Sequence, residues 1–390
     1  MHDGDMRILM ATTSGSGHFQ PMLPFGAAFR RAGHEVLVAA PRSFAGQVER
    51  AGYPYWPCDD IADEDLAVVH AKIKNAPPGE GNLLTVGIGA DLAPRAILPR
   101  MLAAVDQWRP DLVFREVAEL GSALAAELRG VPQLQVLVGL EKFSRITIPV
   151  GAPLLARVRE SVGLPPDEAG DRLRSLRSVS LLPPSFEESP APSIHRFRDD
   201  VFSPAGASPS DEPLVYVTFG TVAGAIPFAE RAFRATVDAL ADLPVRVLAT
   251  GADAADFTDL PANVRVEKWV PQDDILRAAA VMVCHGGMGT VLGALRAGVP
   301  LVVVPQFADH PDNAARVEAL GAGLRVGVDG STAPADPDAV RAAVVRVLAD
   351  PSFRSAAQVV AREIASLPPA DEVVGSYLTG GDRPRRLLGT

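Results

Sequence analysis

Short apolar runs alternate along the chain with longer segments of helical composition. Residues 7–12 are apolar and end in a Ser-Gly-Ser-Gly turn, residues 21–32 have helical composition up to Gly33, and residues 35–40 are apolar again. Strands of a parallel sheet are buried on both faces and therefore read as continuous apolar runs. The chain is thus predicted to open with a β-α-β unit.

The same alternation continues and predicts an α/β chain with parallel sheets covered by helices on both faces. Further strands are expected at residues 111–114, 134–138, 214–219, 245–249, 264–267, 281–284 and 301–304.

Residues 183–213 are dense in Pro, Ser, Glu and Asp, which is typical of an interdomain connection. The chain has 390 residues, enough for two cores. We therefore expect an N-terminal domain at 1–190, a linker at 191–212 and a C-terminal domain at 213–367. A last segment, 368–390, contains a short helix at 371–378 and a basic tail.

Charge and cysteine content disfavour several classes of partner and binding site. A formal net charge of -10 gives no long-range attraction for nucleic acid or anionic lipid, so a small-molecule partner is favoured. Cys58 and Cys284 lie far apart without metal-ligand spacing, so neither a disulfide framework nor a zinc site is indicated. The chain shows neither a basic leader nor an apolar run of about 18 residues, so a cytoplasmic protein without a membrane span is expected.

The turn Gly15-Ser16-Gly17-His18 joins the first strand to the first helix. Gln20 stands where a dinucleotide-binding turn would carry its third glycine, and the second strand does not end in an acidic residue, which disfavours a nicotinamide cofactor. An imidazole at the mouth of such a turn can take a proton from a hydroxyl near neutral pH. The alternative is a helix-capping or half-buried histidine.

A histidine base works better with a carboxylate that holds its other nitrogen. Glu116, at the carboxyl end of the strand 111–114, is the preferred candidate, and Glu119 is its competitor. An ion pair of Arg115 and Glu116 at the surface is the alternative that involves no chemistry.

A second glycine-rich turn follows the strand 281–284. Its small residues and the start of the next helix offer backbone N–H groups and a positive helix end, which suit a diphosphate. Upstream, Trp269 could stack on a nucleobase, although a lone tryptophan is more often part of a core. Downstream, Asp309 and His310 could contact sugar hydroxyls, and Gly220-Thr221 could reach phosphate.

At these motifs the chain resembles family 1 glycosyltransferases, specifically the bacterial enzymes that decorate macrolide, polyketide and enediyne natural products. The similarity runs from SGSGHFQPMLP through WVPQ and HGGMGT to VPQFADHPDNAARVEALGAG. It implies the GT-B fold, with two facing Rossmann-like domains, acceptor bound by the first and donor by the second, and a C-terminal helix that crosses back to the N-terminal domain.

The resemblance also assigns roles. It makes His18 the general base and Glu116 its partner, with Asp309 and His310 as sugar contacts. The residues implied for the nucleotide and its diphosphate are Gly220, Thr221, Trp269, Val270, Gln272, His285, Gly287, Met288, Gly289 and Thr290.

Three positions depart from the family pattern. Glu116 replaces the more frequent Asp, and His310 stands where many relatives have Gln. Gly293 stands where UDP-sugar-using relatives carry a Glu that grips both ribose hydroxyls, so a dTDP-sugar is the preferred co-substrate and a UDP-sugar the less favoured one. We expect an inverting, metal-independent transfer without a cofactor to a hydroxyl of a hydrophobic aglycone.

Other interpretations remain open. A metal-dependent enzyme would use Asp63-Glu64-Asp65 or Asp336-Pro337-Asp338, which read as solvated or helix-capping charges. A glycosidase would need two carboxylates flanking one bond. The rival from another class is a catalytically silent relative that activates a partner enzyme, and the sequence also leaves a homodimer open. The acceptor pocket is expected in loops at residues 74–90 and 140–153.

Overall fold

The computed structural model describes the chain except for residues 1–4, 75–79, 190, 192, 200–211, 221–226, 252–259, 328–335 and 380–390. The described chain divides into two compact units. The first comprises Met1–Leu181, Ala191–Asp200 and Pro368–Thr390, and the second comprises Leu182–Pro190 and Val201–Leu367, as far as those ranges are described.

The first unit is built on a seven-stranded parallel sheet with the order β3-β2-β1-β4-β5-β6-β7. Its strands are β1 Arg7–Ala11, β2 Glu35–Pro41, β3 Tyr55–Cys58, β4 Leu112–Glu116, β5 Gln133–Val136, β6 Ser178–Ser180 and β7 Ile194–Arg196. Its helices are α1 Ser16–Phe19, α2 Leu23–Arg31, α3 Ala45–Arg50, α4 Asp63–Lys74, α5 Glu80–Gly87, α6 Ala93–Trp108, α7 Gly121–Arg129, α8 Glu141–Ser161 and α9 Asp171–Arg174.

The second unit has a six-stranded parallel sheet with the order β10-β9-β8-β11-β12-β13. Its strands are β8 Leu214–Thr218, β9 Arg246–Thr250, β10 Val264–Glu267, β11 Ala279–Cys284, β12 Leu301–Val303 and β13 Gly323–Arg325. Its helices are α10 Pro227–Ala239, α11 Gln272–Leu276, α12 Met288–Arg296, α13 His310–Ala319, α14 Pro337–Ala349 and α15 Pro351–Ser366.

The central strands are the apolar runs that the sequence pattern predicts. Four of the five residues of β1 and all five of β4 are buried, as expected for strands covered by helices on both faces. The strand order reverses direction between β1 and β4, and again between β8 and β11. Both units are therefore doubly wound Rossmann-like sheets, in which ligands bind beyond the carboxyl ends of the strands at such reversal points.

Four short strands escape the sequence pattern: β3, β6, β7 and β13. Each has three or four residues. Such strands carry too few alternating or apolar positions to produce a periodic signal. The strand β7 lies inside the range predicted as linker, because the chain returns to the first sheet after Leu182–Pro190 and before the main part of the second unit.

Residues 140–153 were expected as a loop, but the structure places them at the start of the helix α8. The prediction of a loop is wrong here, because the helix continues through Pro149 and Pro153 and has 21 residues. Gly151 explains part of the packing, since a Cβ there would stand 2.8 Å from the Cβ of Ala90.

The segment after α15 packs on the first unit. Arg198 donates its N–H to the carbonyl of Pro368, Arg31 pairs with Asp371, and the rings of His195 and Tyr377 meet edge to face at 5.2 Å. The helix expected at residues 371–378 is present as a short π-helix over Val374–Thr379. No helix in the described part of the chain is long and apolar enough to cross a membrane.

Close packing of β12 against β13 leaves no space for a side chain at Gly323. A Cβ there would clash with the backbone carbonyl of Leu301, which cannot move away. We therefore expect Gly323→Ala to lower the free energy of unfolding by about 1–3 kcal/mol or more in urea denaturation. As a control, Gly46→Ala on the exposed side of α3, where the Cβ meets nothing within 4 Å, should raise it by about 0.5–1 kcal/mol. Equal effects of the two changes would contradict this packing.

Candidate functional site

The first candidate site lies where the strand order of the first sheet reverses. His18 belongs to α1, which follows β1, and Glu116 is the last residue of β4. These strands pair in parallel, with Ala11 opposite Arg115, so their carboxyl ends lie side by side. The fold thus brings together two residues that are about a hundred positions apart in the chain.

His18 and Glu116 form a close pair. Nδ1 of His18 is 3.1 Å from Oε2 of Glu116; the imidazole is 39% exposed, and the carboxylate is fully buried. With Nδ1 turned toward the carboxylate, Nε2 is the ring nitrogen that can exchange a proton with a bound molecule. A protonated ring in this place would be stabilised by a fixed negative charge.

Hydrogen bonds from Thr13 and Ala118 fix the carboxylate of Glu116. Thr13 donates both its N–H and its hydroxyl to Oε1, at 3.3 and 3.1 Å, and the N–H of Ala118 donates to Oε2 at 2.6 Å. Burial alone would raise the pKa of Glu116, but the charge and contact of His18 and these hydrogen bonds hold that pKa below its ordinary value. Glu116 therefore remains an anion inside the protein.

The alternatives for this pair are resolved by the contacts. Arg115 is completely buried and donates to the carbonyls of Glu116, Val117 and Glu119 and to the side chain of Gln135, so a surface ion pair with Glu116 is ruled out. Glu119 accepts from the N–H groups of Gly121 and Ser122 at the start of α7. Its pKa is raised by burial, against the opposing effect of Ser122 and Arg115. Glu119 thus caps the amino-terminal end of α7.

An apolar face lies on the helix that follows β5. Phe143, Ile146 and Val150 of α8 are 39%, 56% and 41% exposed, and their spacing of three and four residues places them on one face. The segment around Ala90, the other expected wall of an acceptor pocket, packs against the same helix at Gly151. Residues 75–79 of that expectation lie outside the described residues.

The second candidate site lies at the reversal point of the second sheet. Gly220 follows β8, His285 follows β11, and these two strands pair in parallel. The ring of His285 occupies a slot between two glycines: a Cβ at Gly220 would stand 3.0 Å from its Cε1, and a Cβ at Gly287 would clash with its Nε2. Thr221, also predicted for this site, lies outside the described residues.

The helix α12 begins directly at this slot. Gly287 is its N-cap residue, and Thr290 and Val291 both donate to the Gly287 carbonyl. Met288 and Gly289 therefore lie in the first turn, where backbone N–H groups precede the helical hydrogen bonds and the helix dipole is positive. This is a suitable place for an anionic group.

His310 and Asp309 differ in exposure. His310 is only 5% exposed, accepts the N–H of Phe307 at its Nδ1 and meets the ring of His285 at 4.7 Å, edge to face. Asp309 is partly exposed, and its Oδ2 accepts from Asn313 at 2.9 Å. Of these two side chains, Asp309 is the more exposed.

Sequence reasoning missed the groups that hold these side chains in place. Thr13 donates a hydrogen bond to Glu116, and Asn313 donates one to the carbonyl of Gly286. Both partners are distant in the sequence. The only local signal was the spacing of Asn313, four residues after Asp309 on the same helix face. No sequence signal points to the N–H of Ala118.

The loop before α11 exposes an aromatic ring. Trp269 is 72% exposed, so it is not a core residue, and Val270 beside it is partly buried. The side chain of Gln272 lies over Gly293, where a Cβ would clash with its Nε2. The first turn of α11 and the middle of α12 are thereby in direct contact.

The two acidic motifs that a metal-dependent enzyme would use both lie at the start of a helix. Asp336 is the N-cap of α14 and accepts the N–H of Asp338 at 3.0 Å, and Asp63, Glu64 and Asp65 form the first turn of α4. In the parts of the chain with described placement, no group of three His, Cys, Asp or Glu residues is arranged to hold a metal ion.

Comparison with known proteins gives consistent matches. The family model for the N-terminal domain of erythromycin biosynthesis protein CIII-like proteins matches residues 27–187, and the model for their C-terminal domain matches residues 234–379. L-demethylnoviosyl transferase from Streptomyces niveus is 34% identical over 333 residues, which are 82% of this chain and 84% of that protein.

Two solved structures are similar over nearly the whole chain. Glycosyltransferase VinC in complex with dTDP is 27% identical with a TM-score of 0.75, and the match covers 95% of this chain and 98% of that one. Glycosyltransferase SsfS6 from Streptomyces sp. SF2575, complexed with thymidine diphosphate, is 28% identical with a TM-score of 0.73, covering 94% and 98%.

The buried histidines predict a loss of stability in acid. Burial lowers the pKa of His285 to about 4, opposed by a hydrogen bond to the backbone of Thr218, and burial with the nearby His285 lowers the pKa of His310 to about 3. Both rings are neutral in the folded protein, whereas the unfolded chain takes up their protons near pH 6.5. Stability is therefore complete above pH 6.5 and falls as the pH drops toward 4.

For His285 this contribution is about 3 kcal/mol. Urea denaturation between pH 7.5 and 4.5 should show a shallower pH dependence for His285→Phe than for the wild type. His70→Gln, which changes an exposed histidine on α4, serves as the control and should keep the wild-type slope. A wild-type slope in His285→Phe would contradict the neutral buried ring.

Proposed function

Because the chain belongs to the erythromycin biosynthesis protein CIII-like family of antibiotic-decorating glycosyltransferases, we propose that it transfers a deoxysugar from a dTDP-sugar to a hydroxyl of a hydrophobic aglycone, with inversion. The family resemblance, the GT-B fold and the activity as a glycosyltransferase are confirmed by the matches. The nucleotide-sugar donor is part of the proposal and is supported by the thymidine diphosphate bound in VinC and SsfS6. The inverting mechanism, the nucleotide and the acceptor class are the proposal.

The His18–Glu116 pair carries the proposal. An exposed imidazole whose Nδ1 faces a buried carboxylate at 3.1 Å is the arrangement of a general base, and it lies at a ligand-binding edge of a parallel sheet. A silent partner-activating protein would not need an exposed imidazole held against a buried carboxylate, so this pair favours the catalytic function.

The proposed reaction is a single in-line displacement. Nε2 of His18 removes the proton of the acceptor hydroxyl, and the oxygen forms a bond to the anomeric carbon as the bond between that carbon and the phosphate oxygen breaks. The leaving diphosphate gains negative charge, which the N–H groups of Gly287, Met288 and Gly289 at the start of α12 are placed to stabilise. This charge stabilisation comes from the protein itself, so the proposed step needs no metal ion.

The donor site is proposed from the second unit. The exposed indole of Trp269 would stack on the base, with Val270 and Gln272 beside it, and His285 and Thr290 would join the N–H groups at the diphosphate. Asp309 would bind a sugar hydroxyl. The ring of His310 contacts that of His285 edge to face and would hold it in place. Gly220 lines the same slot, and Thr221 is kept as a proposed phosphate contact.

Thymidine diphosphate is the preferred nucleotide for two reasons. Gly293 has no side chain that could bind a ribose 2′-hydroxyl, and the amide of Gln272 fills the space above it. The relatives VinC and SsfS6 have been solved with thymidine diphosphate bound. For the acceptor, the exposed apolar face of Phe143, Ile146 and Val150 on α8 supports a bulky hydrophobic aglycone.

The dyad predicts specific losses of turnover. His18→Ala should lower kcat for transfer from dTDP-glucose to an aromatic polyketide acceptor by about 10²–10⁴-fold, because the general base is lost. Glu116→Gln should lower kcat by about 10²-fold or more, because an amide neither fixes the ring nor stabilises its positive charge.

The matched control for this test is Glu119→Gln, which changes the buried carboxyl at the start of α7 and should keep kcat within about twofold of the wild type. Affinity for dTDP, measured by calorimetry, should be unchanged in all three variants. Wild-type turnover in Glu116→Gln would contradict the assigned dyad.

The nucleotide preference can be tested by calorimetry in EDTA. The wild type should bind dTDP more tightly than UDP. Gly293→Glu should move the ratio of the two affinities toward UDP by about tenfold, or about 1.4 kcal/mol, because a carboxylate there can accept a hydrogen bond from the ribose 2′-hydroxyl. Gly293→Ala is the control, since it displaces Gln272 in the same way but offers no carboxylate.

Binding of neither nucleotide by the wild type would overturn the donor assignment and favour the silent, partner-activating alternative. Loss of dTDP binding in EDTA would instead indicate a metal-dependent donor site.

A further inference from the structure

A buried asparagine connects the two loops of the candidate donor site. Asn313 of α13 is fully buried, and its Nδ2 donates to the Gly286 carbonyl and to Oδ2 of Asp309, each at 2.9 Å. Gly286 belongs to the turn after β11, whereas Asp309 belongs to the loop after β12. One amide group thus connects two turns that follow neighbouring strands.

Packing alone does not explain this residue. Among the residues that the structure describes, none donates a hydrogen bond to Oδ1 of Asn313. A buried amide whose oxygen receives no hydrogen bond is less stable than a fully hydrogen-bonded one. An apolar side chain of similar size would avoid that cost but would leave the Gly286 carbonyl and the Asp309 carboxylate without this donor.

The bond to Gly286 sets the direction of a neighbouring N–H group. In a planar trans peptide the C=O of one residue and the N–H of the next point in opposite directions. Because Asn313 holds the Gly286 carbonyl toward the interior, the N–H of Gly287 points away from Asn313, at the N-cap position of α12. Gly286 itself has φ +96°, a conformation that glycine adopts readily.

The bond to Asp309 orients a carboxylate. With Oδ2 held by Asn313, the carboxylate plane is constrained, and so is the direction in which Asp309 presents its other oxygen. In a nucleotide sugar the sugar is attached to the β-phosphate. A group that fixes both the diphosphate turn and the sugar-contacting side chain therefore shapes the place where these two parts of the donor meet.

We propose that Asn313 is a positioning residue for the β-phosphate end of the donor: it aims the Gly287 N–H at that phosphate and orients Asp309 toward the attached sugar. This inference rests on the proposed function, because it takes the turn before α12 as the diphosphate site. Asn313 acts through its neighbours and does not itself touch the donor.

The test compares two nucleotides that differ only in the β-phosphate. Calorimetry with dTDP and dTMP is carried out on the full chain, the wild type and Asn313→Ala. If Asn313 aims a donor at the β-phosphate, the variant should bind dTDP about tenfold more weakly, or worse, and dTMP within about threefold of the wild type. A purely structural residue would weaken both to the same extent.

The control is Asn263→Ala. Asn263 also donates from its amide to backbone carbonyls, those of Leu240, Leu243 and Val245, but it precedes β10 at the opposite, amino-terminal edge of the sheet. Its loss should lower the melting temperature and leave the ratio of dTDP to dTMP affinity unchanged.

Equal loss of both nucleotides in Asn313→Ala, or a selective loss of dTDP in Asn263→Ala as well, would overturn the inference. If Asn313→Ala does not fold, Asn313→Asp keeps the size and shape but cannot donate as an anion, and should show the same selective loss. Failure of both variants to fold would assign Asn313 to stability and overturn its positioning role. Failure of the wild type to bind dTDP would instead overturn the proposed function.

Discussion

The parallel pairing of β1 with β4, and of β8 with β11, is the constraint on which both candidate sites depend. Neighbouring parallel strands end at the same edge of a sheet, so the turns that follow them meet there however far apart they are in sequence. His18 and Glu116 meet in this way in the first unit, and Gly220 and His285 in the second. Because the strand order reverses at these pairs, this edge is where open α/β sheets bind ligands.

The same edge shows how surroundings divide the roles of similar side chains. Glu116 and Glu119 are three residues apart and both completely buried, yet the pKa of Glu116 is lowered and that of Glu119 is raised. Burial favours the neutral form of both. At Glu116 the charge and contact of His18, with the hydrogen bonds of Ala118 and Thr13, outweigh burial, whereas at Glu119 the contacts of Ser122 and Arg115 do not. The carboxylate that keeps its charge is the one suited to stabilise an imidazolium.

Polar contacts beneath the surface hold both sites in shape. Arg115 binds three carbonyls of the turn that carries Glu116, and Asn313 binds the turn that carries Gly286. In both places a buried side-chain donor binds backbone carbonyls of a turn and thereby fixes its conformation. Turns without such support would sample several conformations, and the loss of entropy on ligand binding would then be larger.

The sequence by itself determined the α/β class, the central strands and the glycine-rich turns, because apolar runs and turn residues are local properties that periodicity reports directly. His18, Trp269 and the turn at His285 could also be identified from local pattern and family resemblance. Only the tertiary structure decided that Glu116 contacts His18 while Glu119 caps the start of a helix, that His310 is buried, and that Asn313 joins two turns. Short edge strands such as β7, and the helix that tolerates Pro149 and Pro153, were likewise decided by packing. These outcomes depend on which residues become neighbours once distant strands pair, and on the burial and hydrogen bonds that this pairing creates, none of which is encoded in the order of nearby residues.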